Sequence, residues 1–360
     1  DLRPRLQAFL PAGESRHPKV IRRNISVLGI ETSCDETAAA VVSGRWAPVP
    51  RSSVVASQMA LHRPFGGVVP ELASRSHIRF ITTVIERALA KAGLPLKRVD
   101  AVAATAGPGL PGSLLVGLTA AKSLAWMLKK PFIAVNHIEG HIYASFLEEP
   151  RPRLPLLALV ASGGHTELIL MKRHGVFGIL GRTRDDAAGE AYDKVAKLLK
   201  LGYPGGPELE RLARRARSEV RFPVARMKDG SLDFSFSGLK TAVSLAPGKD
   251  RASLAAGFQR AVIEALSRRT REALRVARVR TLVLAGGVAS NSALRAGFKR
   301  LAEEERIRLV VPHPSLCTDN AAMIACAGWY IARRRLFSGL DEPARPGWRA
   351  GEPPTPAARN

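Results

Sequence analysis

The stretch SVLGIETSCDETAAAVV (26–42) reads as a strand, a tight polar turn and a second strand. LLALVASGGHTELILM (156–171) reads the same way, with Ser-Gly-Gly-His-Thr at its turn. Between them, VDAVAATAGPGLPGSLLVGLTAAKSLAWML (99–128) reads strand, glycine loop, helix. RTLVLAGGVASNSALRAGFKRLA (280–302) repeats that second pattern. The chain therefore presents twice a hairpin followed by a strand that feeds a helix through glycines. The likeness lies in pattern and not in letters. It predicts an α/β protein of two similar lobes around a central cleft, the actin-like, sugar-kinase-like arrangement in which paired hairpin turns grip phosphates.

The expected division is 24–137 plus 321–340 for the N-terminal lobe and 138–320 for the C-terminal lobe, with an insertion near 180–260. Residues 1–23 read as a disordered basic arm or leader, and 341–360 as a disordered tail. The arm lacks the apolar core of a secretory signal. An organellar transit peptide, a misassigned start and a disordered arm all fit its arginines. Within the insertion, RDDAAGEAYDKVAKLLK (184–200) is helix-forming, with acids early and lysines late. YPGGPELE (203–210) reads as a Gly-Gly turn, and LDFSFSGLK (232–240) alternates like an edge strand.

The chain has 360 residues and carries 55 Lys and Arg against 31 Asp and Glu, a formal charge of +24. That balance favours a polyanionic partner such as nucleic acid. The aromatic share of 6% does not suit a surface built on base-stacking aromatics. Three cysteines, Cys34, Cys317 and Cys326, imply no disulfide framework and suit a reducing, cytoplasmic compartment. A mitochondrial or plastid setting is the alternative that the arm leaves open. No apolar run reaches the roughly 18 residues of a membrane span, so no membrane role is expected.

His137 and His141 in NHIEGHIYASF (136–146) are four apart, which on a helix places both imidazoles on one face. This is the spacing a metal asks of two ligands. Glu139 sits about 200° around the helix from His137, so the zinc-protease base is misplaced. A third ligand is offered by Asp319 in CTDNAAMIA (317–325), where a helix N-cap is the competing job. His313 and Cys317 are fallback ligands. Two imidazoles and a carboxylate would leave coordination positions open and suit iron(II) or zinc. In VASGGHT, Ser162, Gly163 and Gly164 can expose successive N–H groups to an anion. In AGGVASN, Gly286 and Gly287 admit a ligand to the backbone and Asn291 can donate to an oxygen. GPGLPG (107–112) matches a dinucleotide fingerprint only superficially: Pro108 and Pro111 remove donors, and no acidic residue follows at the right distance.

GIETSCDETAAAVV, GGVVPELASRSH (66–77), TAGPGLPGSLLVGL, HIEGH, SGGHT, DDAAGEAYDKVAKLL, DFSFSGLKT, AGGVASN and CTDNAAMIA occur together in this order. Over roughly 26–340 the chain closely resembles the TsaD family of tRNA threonylcarbamoyladenosine transferases, once labelled O-sialoglycoprotein endopeptidases. The resemblance implies one divalent metal, Fe2+ or Zn2+, per subunit on His137, His141 and Asp319. It implies a threonylcarbamoyl-AMP substrate held by Val160, Ala161, Ser162, Gly163 and Gly164 with Asp193, Gly206 and Asn291. The group would pass to N6 of the adenosine 3′ of the anticodon in tRNAs reading codons that begin with A. No side chain is expected as a covalent nucleophile, Cys34 reading as packing. The basic runs at 211–228 and 268–280 are candidate tRNA contacts. TsaB-like and TsaE-like partners are implied for a bacterial protein and a homodimer for an organellar one. Asn136 stands where many relatives have histidine, and ARPGWR (344–349) has Gly347 in place of an arginine. A metalloprotease and a nucleotide-dependent regulatory ATPase of the same fold are the competing readings.

Overall fold

The structure is a computed structural model that describes residues 23–225, 227–246 and 250–354. The expected arm at 1–23 lies, save its last residue, outside them. Two compact units are present, 23–151 with 319–354, and Pro152–Thr318.

The first unit is built on β1 (Ile25–Glu31), β2 (Glu36–Gly44), β3 (Val49–Ser57), β4 (Ala101–Gly107) and β5 (Phe132–Asn136), in spatial order β3-β2-β1-β4-β5. The apolar runs on either side of TSCDE pair antiparallel from Ile25↔Gly44 to Glu31↔Ala38. β4 and β5 then add in parallel, each reached through a helix. Alternation along β1 separates two layers. Leu28 and Ile30 pack with Ile81, Val84, Ile85 and Leu118 of α1 (Pro70–Ala92) and α2 (Pro111–Leu128). Val27 and Gly29 face α9 (Ala321–Arg333), which is apolar and buried along most of its length. α3 (His137–Ala144) follows β5 directly.

The second unit repeats the plan with β6 (Leu156–Ala161), β7 (Thr166–Arg173), β8 (Val176–Arg182), β9 (Thr281–Ala285) and β10 (Arg308–Val310), in order β10-β9-β6-β7-β8. Its pairings match one for one: β6/β7 and β7/β8 antiparallel, β6/β9 and β9/β10 parallel. The duplicated α/β architecture predicted from the two hairpins is therefore present. Between β8 and β9 stand α4 (Ala188–Leu198), α5 (Gly205–Ala213), α6 (Ser237–Ser244) and α7 (Arg251–Ala277); α8 (Ser292–Glu304) follows β9.

Several expectations are corrected. The units divide at Arg151/Pro152 and Thr318/Asp319, not at 137/138 and 320/321, because α3 packs whole against α9. Gly205 and Gly206 open α5 instead of forming a turn; a Cβ on Gly205 would lie 2.8 Å from Asp193 Cα. Leu232, Phe234 and Phe236 are buried as the alternation implies, yet the segment makes only an isolated bridge, Thr183↔Phe234. Asp185 draws the next residues into α6 by accepting from the N–H of Phe236 at 2.8 Å and the hydroxyl of Ser237 at 2.7 Å.

The tail expected to be disordered is anchored as far as Pro353, whose carbonyl accepts from Arg345 at 2.8 Å. Arg345 N–H donates to Ala106 O at 2.7 Å, and Trp348, only 4% exposed, packs into the first unit's core. Asn136 Nδ2 donates to Trp348 O at 3.2 Å, and the Arg345 guanidinium lies 4.7 Å from the Trp348 ring centroid. The glycine of GPGLPG that begins this contact has a physical reason: a Cβ on Gly107 would fall 1.9 Å from Arg345 O. Trp348→Ala should lower stability by about 3 kcal/mol in denaturant unfolding, the usual scale for losing a buried tryptophan; an unchanged midpoint would show that the tail only rests on the surface.

Candidate functional site

α3 starts on Asn136, whose Oδ1 accepts the N–H of Ile138 at 2.9 Å and of Glu139 at 3.2 Å. His137 and His141 then share a face, with ring centroids 4.7 Å apart and planes at 79°. α9 is capped not by Asp319 but by Asn320, whose Oδ1 accepts Met323 N–H at 3.0 Å. The cap reading of Asp319 therefore fails, and its Oδ1 lies 3.3 Å from His141 Nε2 and 3.5 Å from His137 Nε2. One potential ligand atom from each of the three residues lies within 4.8 Å of the others. The fallback ligands serve elsewhere in the second unit. His313 Nδ1 and the Ser315 hydroxyl are 2.9 Å apart, and Cys317 Sγ donates to Pro312 O.

The donor set fits a metal. His141 is fully buried, and among the described residues neither ring nitrogen has a well-formed hydrogen-bond partner, Asp319 Oδ1 lying 3.3 Å from Nε2. A buried imidazole left so costs about 1–3 kcal/mol per unsatisfied group, which a coordinated ion would offset. Burial pushes the His141 pKa below the ordinary histidine value, and Asp319 opposes this only in part. Burial acts the same way on His137, but Asp319 and Glu31 together raise it well above the ordinary value. Asp319 stays ionised: burial would raise it, and His137 and His141 hold it well below the carboxylate range.

Sequence reasoning missed Glu31. It is fully buried at the end of β1, with Oε2 3.0 Å from His137 Nδ1 and 2.6 Å from the Thr105 hydroxyl. Nothing in GIETSCDET signals a contact with a helix 106 residues later. Glu139, the misplaced base, is engaged by the tail. Its Oε1 accepts Gly351 N–H at 2.9 Å, and burial pushes its pKa up to about 7.

The second unit holds the other expected residues. Val160 and Ala161 end β6, fully buried. Ser162 N–H closes the turn onto His165 O at 2.8 Å, leaving Gly163 and Gly164 exposed with nothing within 4 Å of a Cβ position. Gly189, also missed, packs behind this turn; its N–H donates to Ser162 O at 3.1 Å, and a Cβ there would sit 2.6 Å from that oxygen. Asp193 Oδ1 accepts Gly205 N–H at 2.7 Å, next to the open Gly206. Asn291 caps α8 through Leu294 N–H at 2.9 Å and donates to Gln259 Oε1 at 2.8 Å. The side chain expected to donate to a ligand thus braces α8 against α7. A polar cavity of about 450 Å³ opens beside the turn, lined by Gly164, His165, Glu167, Arg182, Arg184 and Asp233 and not by Asp193, Gly206 or Asn291.

Much of the basic charge in the two expected runs is answered internally. Arg211 pairs with Glu208, Arg214 with Glu210, and Arg271 with Glu304 and Glu305. Arg215, Arg217, Arg278 and Arg280 are exposed with no ion pair among the described residues. No helix of the described residues is long and apolar enough to cross a membrane.

Sheet order and duplication define an actin-like two-lobed protein. Of solved structures, HypF from T. kodakarensis aligns over 89% of this chain and 49% of its own, at a TM-score of 0.61 and 15% identity. The activator of 2-hydroxyisocaproyl-CoA dehydratase from Clostridium difficile aligns over 88% and 99%, at 0.50 and 16%. At such identities they speak for the fold alone. The family model TsaD, tRNA N6-adenosine threonylcarbamoyltransferase, matches residues 51–326. The tRNA N6-adenosine threonylcarbamoyltransferase of Symbiobacterium thermophilum is 56% identical over 333 residues, 90% of this chain and 97% of its own. That of Bacillus subtilis is 49% identical over 91% of this chain and 96% of its own. The chain belongs to the TsaD family of tRNA-modifying transferases.

A histidine ligates a metal only as the neutral base. His137, raised in the metal-free site, should therefore release a proton on metal uptake at pH 7. Affinity should climb with pH and level off above that raised value. Calorimetric Zn2+ titrations in buffers of different ionisation enthalpy read the proton directly, and a pH-independent affinity would contradict the assignment. His141→Ala should weaken binding by more than the roughly 10–100-fold that loss of an outer partner costs.

Proposed function

We propose that this chain transfers the threonylcarbamoyl group of threonylcarbamoyl-AMP to N6 of the adenosine 3′ of the anticodon, in tRNAs reading codons that begin with A. The observation that carries this reading is the family match over 51–326, which encloses His137, His141 and Asp319 together with the turn, Asp193, Gly206 and Asn291. The bacterial relatives favour a cytoplasmic setting with TsaB-like and TsaE-like partners.

The adenylate arrives activated. N6 forms a bond to the carbamoyl carbon, the bond to the phosphate oxygen breaks, AMP leaves with that electron pair, and N6 gives up a proton. No side-chain nucleophile is needed. Burial, with Asp35 and Asp319 nearby, pushes the Cys34 thiol far up, so it stays protonated and unreactive. Burial does the same to Cys326. Gly163 and Gly164 present backbone without side chains, which suits an anion such as the adenylate phosphate. Asp193, beside the open Gly206, would accept from ribose hydroxyls. A divalent ion on His137, His141 and Asp319 would supply Lewis acidity. The remaining barrier is orientation of a weak amine nucleophile, for which a rigid frame is the main device. Exposed arginines such as Arg278 and Arg280 would meet tRNA phosphates, so activity should fall with added salt. Glu139 in the grip of the tail weakens the protease reading.

The test is nucleoside mass spectrometry of unmodified tRNA incubated with the chain, its partners and threonylcarbamoyl-AMP. Cys34→Ser should retain most of the product and His137→Ala should lose it. Gly163→Val should raise the KM for the adenylate, because a branched side chain would occupy the anion's place. A threonylcarbamoyl group trapped on this protein and able to pass to tRNA would falsify direct transfer.

A further inference from the structure

We infer that Glu31 is the positioning residue of the metal centre, fixing the ring and tautomer of His137 so that Nε2 is its metal-facing nitrogen. The inference rests on the metal reading above. Three parallel strands end side by side, β1 at Glu31, β4 beyond Thr105 and β5 at Asn136. Their register pairs Ile30 with Ala104 and Thr105 with Val135. This brings Glu31 beside Thr105 and beneath the first residue of α3.

Each donor around the carboxylate points at it. Ser33 N–H donates to Oε1 at 2.5 Å, the Thr105 hydroxyl to Oε2 at 2.6 Å, and His137 Nδ1 lies 3.0 Å from Oε2. Oε1 accepts the Ser33 N–H and Oε2 the Thr105 hydroxyl, so the carboxylate meets His137 as an acceptor and Nδ1 carries the hydrogen. Ser33 Oγ, 3.2 Å from the same nitrogen, can share it. The lone pair of neutral His137 is then on Nε2, the nitrogen 3.5 Å from Asp319. Glu31 is not a fourth ligand, since it stands outside the cluster formed by His137, His141 and Asp319. A carboxylate behind a ligating histidine fixes its orientation and raises its basicity. Among the described residues His141 has no such partner, so the two imidazoles are not equivalent.

Metal titration of the full-length chain with Zn2+ and with Co2+ separates the possibilities. Glu31→Gln keeps the size but removes the charge and allows the other tautomer. We expect it to weaken binding about 10–100-fold and shift the Co2+ absorption bands. Glu31→Asp should recover part of the loss. Failure of the unaltered chain to bind either ion would overturn the metal reading itself. Tight binding by the unaltered chain with unchanged affinity and spectrum in Glu31→Gln would overturn the role of Glu31 alone. Should the variants not fold, nitrogen NMR of the zinc-loaded chain carrying 15N-histidine reads the tautomer directly. Nδ1–H with zinc on Nε2 of His137 is the expected result, and zinc on Nδ1 refutes it.

Discussion

A Cβ placed on Gly29 would come within 2.6 Å of both the Ala321 carbonyl oxygen and the Ala325 nitrogen. At Gly328 it would meet the Ala103 Cβ at 2.7 Å, and at Gly140 the Ile324 side chain at 2.8 Å. These three glycines let α9 lie against β1, β4 and α3 at a separation that no other residue permits. The consequence is chemical. Asp319 stands two residues before α9, so the depth at which that helix seats fixes where its carboxylate meets the histidines. A larger residue at Gly29 would lift α9 and draw the carboxylate away with it. Packing at the sheet thus sets the distances within the cluster of His137, His141 and Asp319.

The two units use one strand plan for different chemistry. In both, the parallel strands end where the unusual residues begin. In the first, β1, β4 and β5 end on Glu31, Gly107 and Asn136. In the second, β6 and β9 end on Ala161 and Ala285, followed by Ser162-Gly163-Gly164 and Gly286-Gly287. Gly286 has a left-handed φ of 87°, and its missing side chain admits Ala161 O, which would be 2.4 Å from a Cβ. The cluster of two histidines and a carboxylate lies in one unit and bare backbone in the other. A sheet that ends in polar turns offers either option without disturbing its buried ladder.

The periodic signals in the sequence were local, and they were legible. Two hairpins and two strand–glycine–helix runs predict both sheets, because alternation and turn chemistry act over a few residues. The spacing of His137 and His141 predicts a shared face for the same reason. The position of Asp319 came from resemblance, since the pattern alone allowed a helix cap. The partners of His137 were not legible: Glu31 meets it through sheet register, which no short stretch encodes. The unit boundaries were misplaced because α3 belongs to α9 by packing and not by proximity in sequence. Asn291 reads as a ligand donor; its cap of α8 and its bond to Gln259 were not legible. The tail looked disordered by composition; one tryptophan in the core and a few hydrogen bonds hold its described part.

That tail bears on the rigidity of α3. The helix is held at its start by Asn136, which caps it and also donates to Trp348 O. Its first turn is tied to the tail again through Glu139 and Gly351, and its first ring to the end of β1 through Glu31. Its last turn is tied to α9 by Cys326 Sγ donating to Tyr143 O. Each tether is modest alone, since a net hydrogen bond contributes about 1 kcal/mol. Together they oppose translation along and rotation about the helix axis, the two motions that would separate His137 and His141 from Asp319. If the cluster acts as proposed, in orienting a weak nucleophile, its rate would fall steeply with displacement of its groups. The tethering of Glu31, Glu139 and Asn136 around one short helix is therefore better understood as the support of the site than as general stabilisation of the fold.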